Sequence, residues 1–269
     1  MSQNRIDQKF KKLCAQKKKA LIAFITAGDP HLKKTAELVT AFEKEGVDFV
    51  ELGVPFSDPL ADGPVIQAAS QRALRSGTTL SKILKCVQSI RRKSQVPILL
   101  MSYLNPILRM GFKEFARRAV SSGVDGVIIP DLPPEEEKEL AKILRRCRVH
   151  LVFLLAPTST PERRARIARR AKGFIYYVSV TGVTGAQRAF ATSLKKDIAA
   201  AKKITSTPVC VGFGISNPAQ ARAILKSADG VIIGSALVQK LASNSRLSAD
   251  QFSKKIVRPF VRAVHGGER

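Results

Sequence analysis

Short apolar runs alternate with longer amphipathic stretches along this chain. Eight runs are rich in Val, Ile, Leu or Phe and show little apolar–polar alternation, which is typical of strands buried on both faces of a parallel sheet. The runs cover residues 20–26, 49–54, 97–103, 126–130, 150–155, 173–180, 209–213 and 230–233. They predict eight strands.

The stretches between these runs have apolar residues at helical spacing. Leu80, Ile83 and Leu84 begin the clearest example, and Asn217 followed by Pro218 supplies a capping residue and a first-turn proline for another. Helices are predicted at residues 32–45, 80–92, 112–121, 135–146, 161–170, 194–203 and 218–226. Strand followed by helix, repeated along the chain, indicates βα units and a parallel sheet.

This order predicts an α/β fold, a single (β/α)8 TIM barrel, occupying residues 1–269 as one domain. An open, doubly wound parallel sheet is the alternative. The length of 269 residues suits one such barrel. Three similar segments, at 46–51, 123–128 and 228–233, each place an aspartate before a buried strand and form a weak internal repeat.

The charge balance is unusual, because 46 Lys and Arg residues against 21 Asp and Glu residues give a net charge of +25. Such an excess can attract nucleic acid or an anionic surface. The basic residues are spread along the predicted helices and few aromatic residues accompany them, which favours a solvated surface over a nucleic-acid-binding function.

Other features of the composition point to a cytoplasmic protein. The four cysteines and three histidines are scattered singly, so we expect neither a disulfide framework nor a metal site. No apolar run approaches the ~18–20 residues of a membrane span. The basic N-terminus lacks the apolar segment of a secretory signal, and Ile6, Phe10 and Leu13 predict an amphipathic helix there.

Two carboxyl groups are candidates for catalysis, because functional groups of such barrels collect at the carboxyl ends of the strands. Glu51 lies within an apolar strand, where burial would raise its pKa and let it exchange protons near neutral pH. A salt bridge or an exposed strand end is the alternative. Asp62 follows eleven residues later in a loop rich in proline and glycine, which is either a plain turn or a mobile loop facing Glu51 across a substrate.

Glycine-rich segments follow the last three strands. The segments 212–216 (GFGIS) and 234–236 (GSA) predict a phosphate site, since backbone N–H groups and a helix N-terminus can approach an anion there. The segment 176–185 suggests a lid carrying hydroxyl groups, or simply a glycine-rich loop. Neither a P-loop nor a Rossmann fingerprint is present, so a nucleotide is not implied.

Taken together, these segments resemble the tryptophan synthase alpha chain family. The run ELGVPFSDPLADGP at residues 51–64 is too long to match by chance. The other matching segments follow in family order: ITAGDP at 25–30, NP at 105–106, PDLP at 130–133, YYVSVTGVTG at 176–185, GFGIS at 212–216 and GSA at 234–236.

The resemblance implies retro-aldol cleavage of indole-3-glycerol phosphate to indole and D-glyceraldehyde 3-phosphate. Glu51 would protonate indole C3 and assist proton removal from the glycerol hydroxyl, and Asp62 would stabilise positive charge at the indole nitrogen. The residues implied in substrate binding are Phe24, Leu100 and Ile129 as indole walls, Tyr176 beside the substrate, Thr184 in the lid, and Gly185, Gly214, Gly234 and Ser235 at the phosphate.

The resemblance also implies a partner. It is the tryptophan synthase beta subunit in an α2β2 heterotetramer, which would contact the loop holding Asp58 and Pro59. Pyridoxal phosphate would belong to that subunit, and no cofactor is expected in this chain.

Three alternatives remain: a non-catalytic subunit that only activates its partner, another phosphosugar barrel such as an indole-glycerol-phosphate synthase or an isomerase, and nucleic-acid binding by the basic surface. The resemblance leaves the net charge unexplained.

Overall fold

The eight apolar runs form eight parallel strands that close into a barrel in chain order, because the last strand pairs with the first. This confirms the TIM-barrel prediction and excludes the open sheet. The computed structural model describes residues 4–133, 135, 136, 138–178, 187–212 and 214–266, without the side chains of 187–194. The strands are β1 (Ala20–Thr26), β2 (Phe49–Gly53), β3 (Ile98–Met101), β4 (Gly126–Ile128), β5 (His150–Leu155), β6 (Ile175–Val178), β7 (Val209–Gly212) and β8 (Gly230–Ile233).

Helices surround the barrel and include every one that the spacing predicts. They are α1 (Arg5–Ala15), α2 (Leu32–Glu45), α3 (Pro64–Arg75), α4 (Leu80–Ile90), α5 (Leu104–Met110), α6 (Phe112–Ser122), α7 (Lys138–Arg146), α8 (Pro161–Arg170), α9 (Gln187–Lys202), α10 (Pro218–Ile224), α11 (Ser235–Ser243), α12 (Ala249–Phe252) and α13 (Arg258–His265). A π-helical turn, Ser253–Val257, joins the last two. In the part of the chain that the structure describes, no helix has both the length and the apolar character needed to cross a bilayer.

Side chains of the strands alternate between the barrel interior and the layer beneath the helices. Ile22, Phe49, Leu99 and Ile128 belong to the interior cluster. Their strand neighbours, such as Leu100, belong to the larger cluster packed against the helices. Both sets are buried, which explains why the strands read as continuous apolar runs.

The N-terminal helix closes one end of the barrel. Ile6 and Leu13 of α1 are buried, as the amphipathic spacing predicts. The Phe10 ring lies 4.7 Å from that of Phe49 and 5.9 Å from that of Phe174, centroid to centroid, at the base of the interior cluster. The opposite end, where the strands finish, is therefore the open mouth.

The three repeated aspartates share one structural role. Asp48, Asp125 and Asp229 each precede a strand, and each accepts a hydrogen bond from the first backbone N–H groups of the preceding strand. The distances are 2.9, 2.8 and 3.0 Å, from the N–H groups of Leu21, Ile98 and Val209 respectively. The internal repeat thus has a structural cause: each aspartate supplies a hydrogen-bond acceptor for a backbone N–H group at the start of a strand, at the base of the barrel.

Candidate active site

A cavity of about 290 Å³ opens at the mouth of the barrel. It collects residues from the ends of β1, β3, β6 and β8 and from the loops after β2, β7 and β8. Its lining consists of Phe24, Asp62, Gly63, Pro64, Val65, Ile66, Met101, Tyr176, Gly214, Ile215, Ile232, Gly234 and Ser235. Six of the sequence-predicted site residues therefore meet in one apolar cavity with a single carboxylate in its wall.

Glu51 lies under this cavity, in the centre of β2. It is paired in register with Phe24 of β1, so both side chains belong to the inward-facing set. Its exposure is 0%, and within the described residues neither carboxyl oxygen has a hydrogen-bond partner. Burial, with a smaller contribution from the negative charge of Asp62, raises the pKa of Glu51 to about 8. The group is therefore a carboxylic acid at neutral pH. Its full burial and the lack of a partner among the described residues exclude the exposed strand end and the salt bridge.

Asp62 stands on the loop between β2 and α3, beside the cavity. Burial raises the pKa of Asp62, and the nearby Tyr103 hydroxyl lowers it. The same hydroxyl accepts a hydrogen bond of 2.9 Å from the backbone N–H of Ala61. The backbone carbonyl of Asp62 accepts a hydrogen bond of 2.8 Å from the Gln67 side chain in the first turns of α3. The loop is thus held from both sides, and its carboxylate is close enough to Glu51 to affect its proton affinity.

The apolar walls match the sequence-based expectation only in part. Phe24 and Tyr176 line the cavity, and both are among the residues that the resemblance implies in substrate binding. The structure does not bring Leu100 and Ile129 to it, because both belong to the outer layer under the helices. Met101, one residue after Leu100, faces the cavity instead.

The far end of the cavity is suited to an anion. Gly234 and Ser235 line it at the start of α11, whose first turn has no side-chain cap among the described residues. The uncapped N–H groups and the helix dipole favour negative charge at this point. Gly214, with a φ of +72°, brings the backbone after β7 to the same wall in a conformation that favours glycine.

Some predicted positions cannot be placed, and some lining residues were missed. Thr184 and Gly185 lie outside the described residues. Sequence reasoning missed Met101, Ile66 and Ile232, which are ordinary apolar residues and give no signal of their own. Tyr103, which contacts the Asp62 loop, was also missed, although its place at the end of the third apolar run could have marked it.

Comparisons with known proteins agree on one family. The family model described as tryptophan synthase alpha chain matches residues 10–263. The tryptophan synthase alpha chain of Geotalea daltonii is 54% identical over 251 residues, 93% of this chain and 92% of the relative. That of Geobacter sulfurreducens is 49% identical and covers 97% of each. The crystal structure of the alpha subunit from Legionella pneumophila superposes with a TM-score of 0.90 at 38% identity, over 98% of this chain and 99% of that one.

Proposed function

The chain belongs to the tryptophan synthase alpha chain family, and from this premise we propose that Glu51 and Asp62 carry out its reaction. The family activity is that of a carbon–carbon lyase: this subunit cleaves indole-3-glycerol phosphate to indole and D-glyceraldehyde 3-phosphate, in tryptophan biosynthesis. The observation that carries the residue assignment is the unpartnered Glu51 carboxyl, buried beside Asp62 under an apolar cavity.

The cleavage needs one proton delivered and one removed. Glu51, protonated at neutral pH, gives its proton to indole C3, and the ring becomes an indolenine with positive charge at the nitrogen. The ionised Asp62 stabilises that charge by accepting the N–H hydrogen bond. Glu51, now a carboxylate, takes the proton of the glycerol hydroxyl. The carbon–carbon bond then breaks, its electron pair returns to the ring, and Glu51 is protonated again.

The rest of the substrate fits the remaining lining. We propose that the indole ring lies between Phe24 and Tyr176, with Met101 and Ile232 completing the walls. Gly214, Gly234 and Ser235 hold the phosphate through backbone N–H groups at the start of α11. Thr184 as a lid residue and Gly185 as a phosphate contact remain proposals from the TGVTG motif alone. Leu100 and Ile129 are left out, since their side chains point toward the helices.

A beta subunit is the proposed partner, in an α2β2 heterotetramer. Leu60, two residues from Asp62 and next to Pro59, is 95% exposed, and Leu108 of α5 is 49% exposed. Large apolar side chains exposed on segments beside the mouth suit a protein contact better than contact with water. No cofactor is proposed for this chain, because the proton transfers above need only its carboxyl groups, and pyridoxal phosphate is assigned to the partner from the resemblance to the family. We further propose that residues 1–269 form one domain, that the protein acts in the cytoplasm, and that nucleic acid is not its ligand.

Indole release from indole-3-glycerol phosphate tests the residue assignment. Glu51→Gln and Asp62→Asn should each lower kcat by roughly 100-fold or more, which is the scale of a lost acid–base group. Glu37→Gln, the same change on the exposed side of α2, is the matched control and should keep wild-type activity. Wild-type kcat/KM should fall as pH rises through about 8, where Glu51 loses its proton. An active Glu51→Gln variant would remove Glu51 from the mechanism.

A further inference from the structure

Tyr103 lies in the short connection between β3 and α5, beneath the loop that carries Asp62. Its side chain is almost fully buried, and it is the residue that precedes the first turn of α5. The ring lies 5.2 Å from that of Phe56, centroid to centroid, at the start of the loop. The next residue, Leu104, donates its backbone N–H to the carboxylate of Asp131, at 2.9 Å for the nearer oxygen. Tyr103 is therefore fixed on the barrel side and touches the loop on the other.

The hydroxyl of Tyr103 reaches the far end of the same loop. It accepts a hydrogen bond of 2.9 Å from the backbone N–H of Ala61. The Asp62 carboxylate, on the next residue, lies close enough to this hydroxyl for the hydroxyl to lower its pKa. Burial raises the pKa of Tyr103 to about 12, which keeps the hydroxyl proton in place throughout the neutral range.

We propose that Tyr103 is a positioning residue for the cleavage, whose hydroxyl holds the Ala61 N–H group and thereby presents the adjacent Asp62 carboxylate to the cavity. The inference rests on the proposed function, because it deepens the role given there to Asp62. The ring contact at Phe56 and the hydrogen bond at Ala61 fix the two ends of segment 56–61, which leads directly to Asp62.

The charges around Asp62 decide what a loss of this hydroxyl does. Glu51 faces it from β2 and Tyr176 from β6, while Asp131 acts on Tyr103 from the loop after β4. Among these groups, Tyr103 is the one that lowers the pKa of Asp62 and so favours its ionised form. Without the hydroxyl, burial alone acts on the carboxylate, so its pKa should rise and the ionised form should become scarcer at acid pH.

Tyr103→Phe tests the proposal, since it removes only the hydroxyl. We expect kcat for indole release to fall up to about tenfold, the scale of one lost hydrogen bond, with KM changed less than about twofold. The acid limb of the kcat/KM profile should move to higher pH. Tyr177→Phe is the matched control: its hydroxyl donates 2.6 Å to Asp197 outside the cavity, so its loss should change stability without moving the acid limb.

Two further variants separate this inference from the proposed function. In an Asp62→Asn background, Tyr103→Phe should cause no further loss of kcat beyond about twofold, since the group it positions is gone. Phe56→Leu removes the ring contact and keeps the hydroxyl, so it should leave the acid limb in place. A Tyr103→Phe enzyme with wild-type kcat and pH profile, beside an inactive Asp62→Asn enzyme, overturns the inference alone. An active Asp62→Asn enzyme overturns the function assigned to Asp62, and the inference with it.

Discussion

Glu51 makes the stability of this barrel depend on pH. Its folded pKa of about 8 lies above the ordinary glutamate pKa of 4.5, so between these two values the folded state holds a proton that the unfolded state has lost. Stability conferred by this group is therefore present at low pH and falls as pH rises through that window. Glu51 has no hydrogen-bond partner among the described residues, and burying such a carboxyl group lowers the free energy of unfolding. The destabilised group lies where the reaction needs a proton.

Glu51→Gln should therefore stabilise the protein at alkaline pH while it abolishes cleavage. At pH 9 the variant avoids ionisation of a buried group, and its free energy of unfolding should exceed the wild-type value by roughly 5 kcal/mol. Below pH 4.5 the carboxyl group is neutral in the folded and the unfolded state and is similar in size to the amide, so the two values should converge. Urea unfolding followed across this pH range measures the difference. Parallel curves for the two proteins at every pH would mean that Glu51 is not buried as an acid.

At the scale of the element, the sequence predicts which strands exist better than which way their side chains point. Leu99, Leu100 and Met101 are all apolar, so the pattern cannot tell the inner face of β3 from its outer face. Only the register of the closed barrel places Met101 in the cavity and Leu100 under the helices. Glu51 could be found from sequence because a charge in an apolar strand is costly to bury, and that cost has no counterpart among leucines.

The helices show a similar division. The spacing predicts two helices with their observed ends: α2, which buries an apolar stripe, and α8, which begins at a capping Thr160 followed by Pro161. The spacing does not predict the helix α3, the short helix α5 or the C-terminal helices α12 and α13. The last two are interrupted by a π-helical turn, which breaks the regular spacing on which the prediction depends. The omission of α3 affects the cavity, because residues 64–66 line it, and the omission of α5 conceals Tyr103 before its first turn.

The start of α11 can be tested separately from the indole walls. Gly234→Val places a side chain where the uncapped N–H groups would meet a phosphate. A Cβ there lies no closer than 3.6 Å to any described neighbour, so the fold should tolerate it. Affinity for glycerol 3-phosphate should fall roughly tenfold or more, while affinity for indole should change less than about twofold. Isothermal titration with both ligands measures this, and an equal loss for the two would point to general disruption.

On the scale of the whole molecule, closure of the barrel is what makes dispersed motifs into one site. Residues as far apart in sequence as Phe24 and Ser235 line the same cavity because parallel strands present all their carboxyl ends at one mouth. The opposite end is sealed by α1 and the strand-start aspartates, so the two ends have separate tasks. The excess of basic residues is not explained by the separate tasks of the two barrel ends. At +25 it gives the protein a field that attracts anionic substrates such as a phosphate ester.

The proposed partner should act on this mouth through the loop of residues 55–64. Leu60 is 95% exposed there, although the same loop carries Asp62 into the cavity wall. A partner that covers Leu60 would favour the loop arrangement in which Asp62 faces the substrate, and a tenfold activation needs only ~1.4 kcal/mol of such preference. We therefore expect a tryptophan synthase beta chain to raise the rate of indole release by about tenfold or more.

Leu60→Asp provides the test of this coupling. The variant alone should release indole at the wild-type rate, because its side chain points to solvent, but the beta chain should activate it far less. Leu74→Asp, the same change at an exposed leucine of α3, is the matched control and should be activated fully. Indole release during titration with the beta chain measures all three proteins, and a pull-down reports complex formation. If the complex forms with the wild-type chain while its indole release stays constant, the loop is already in its active arrangement and the coupling proposed here is wrong.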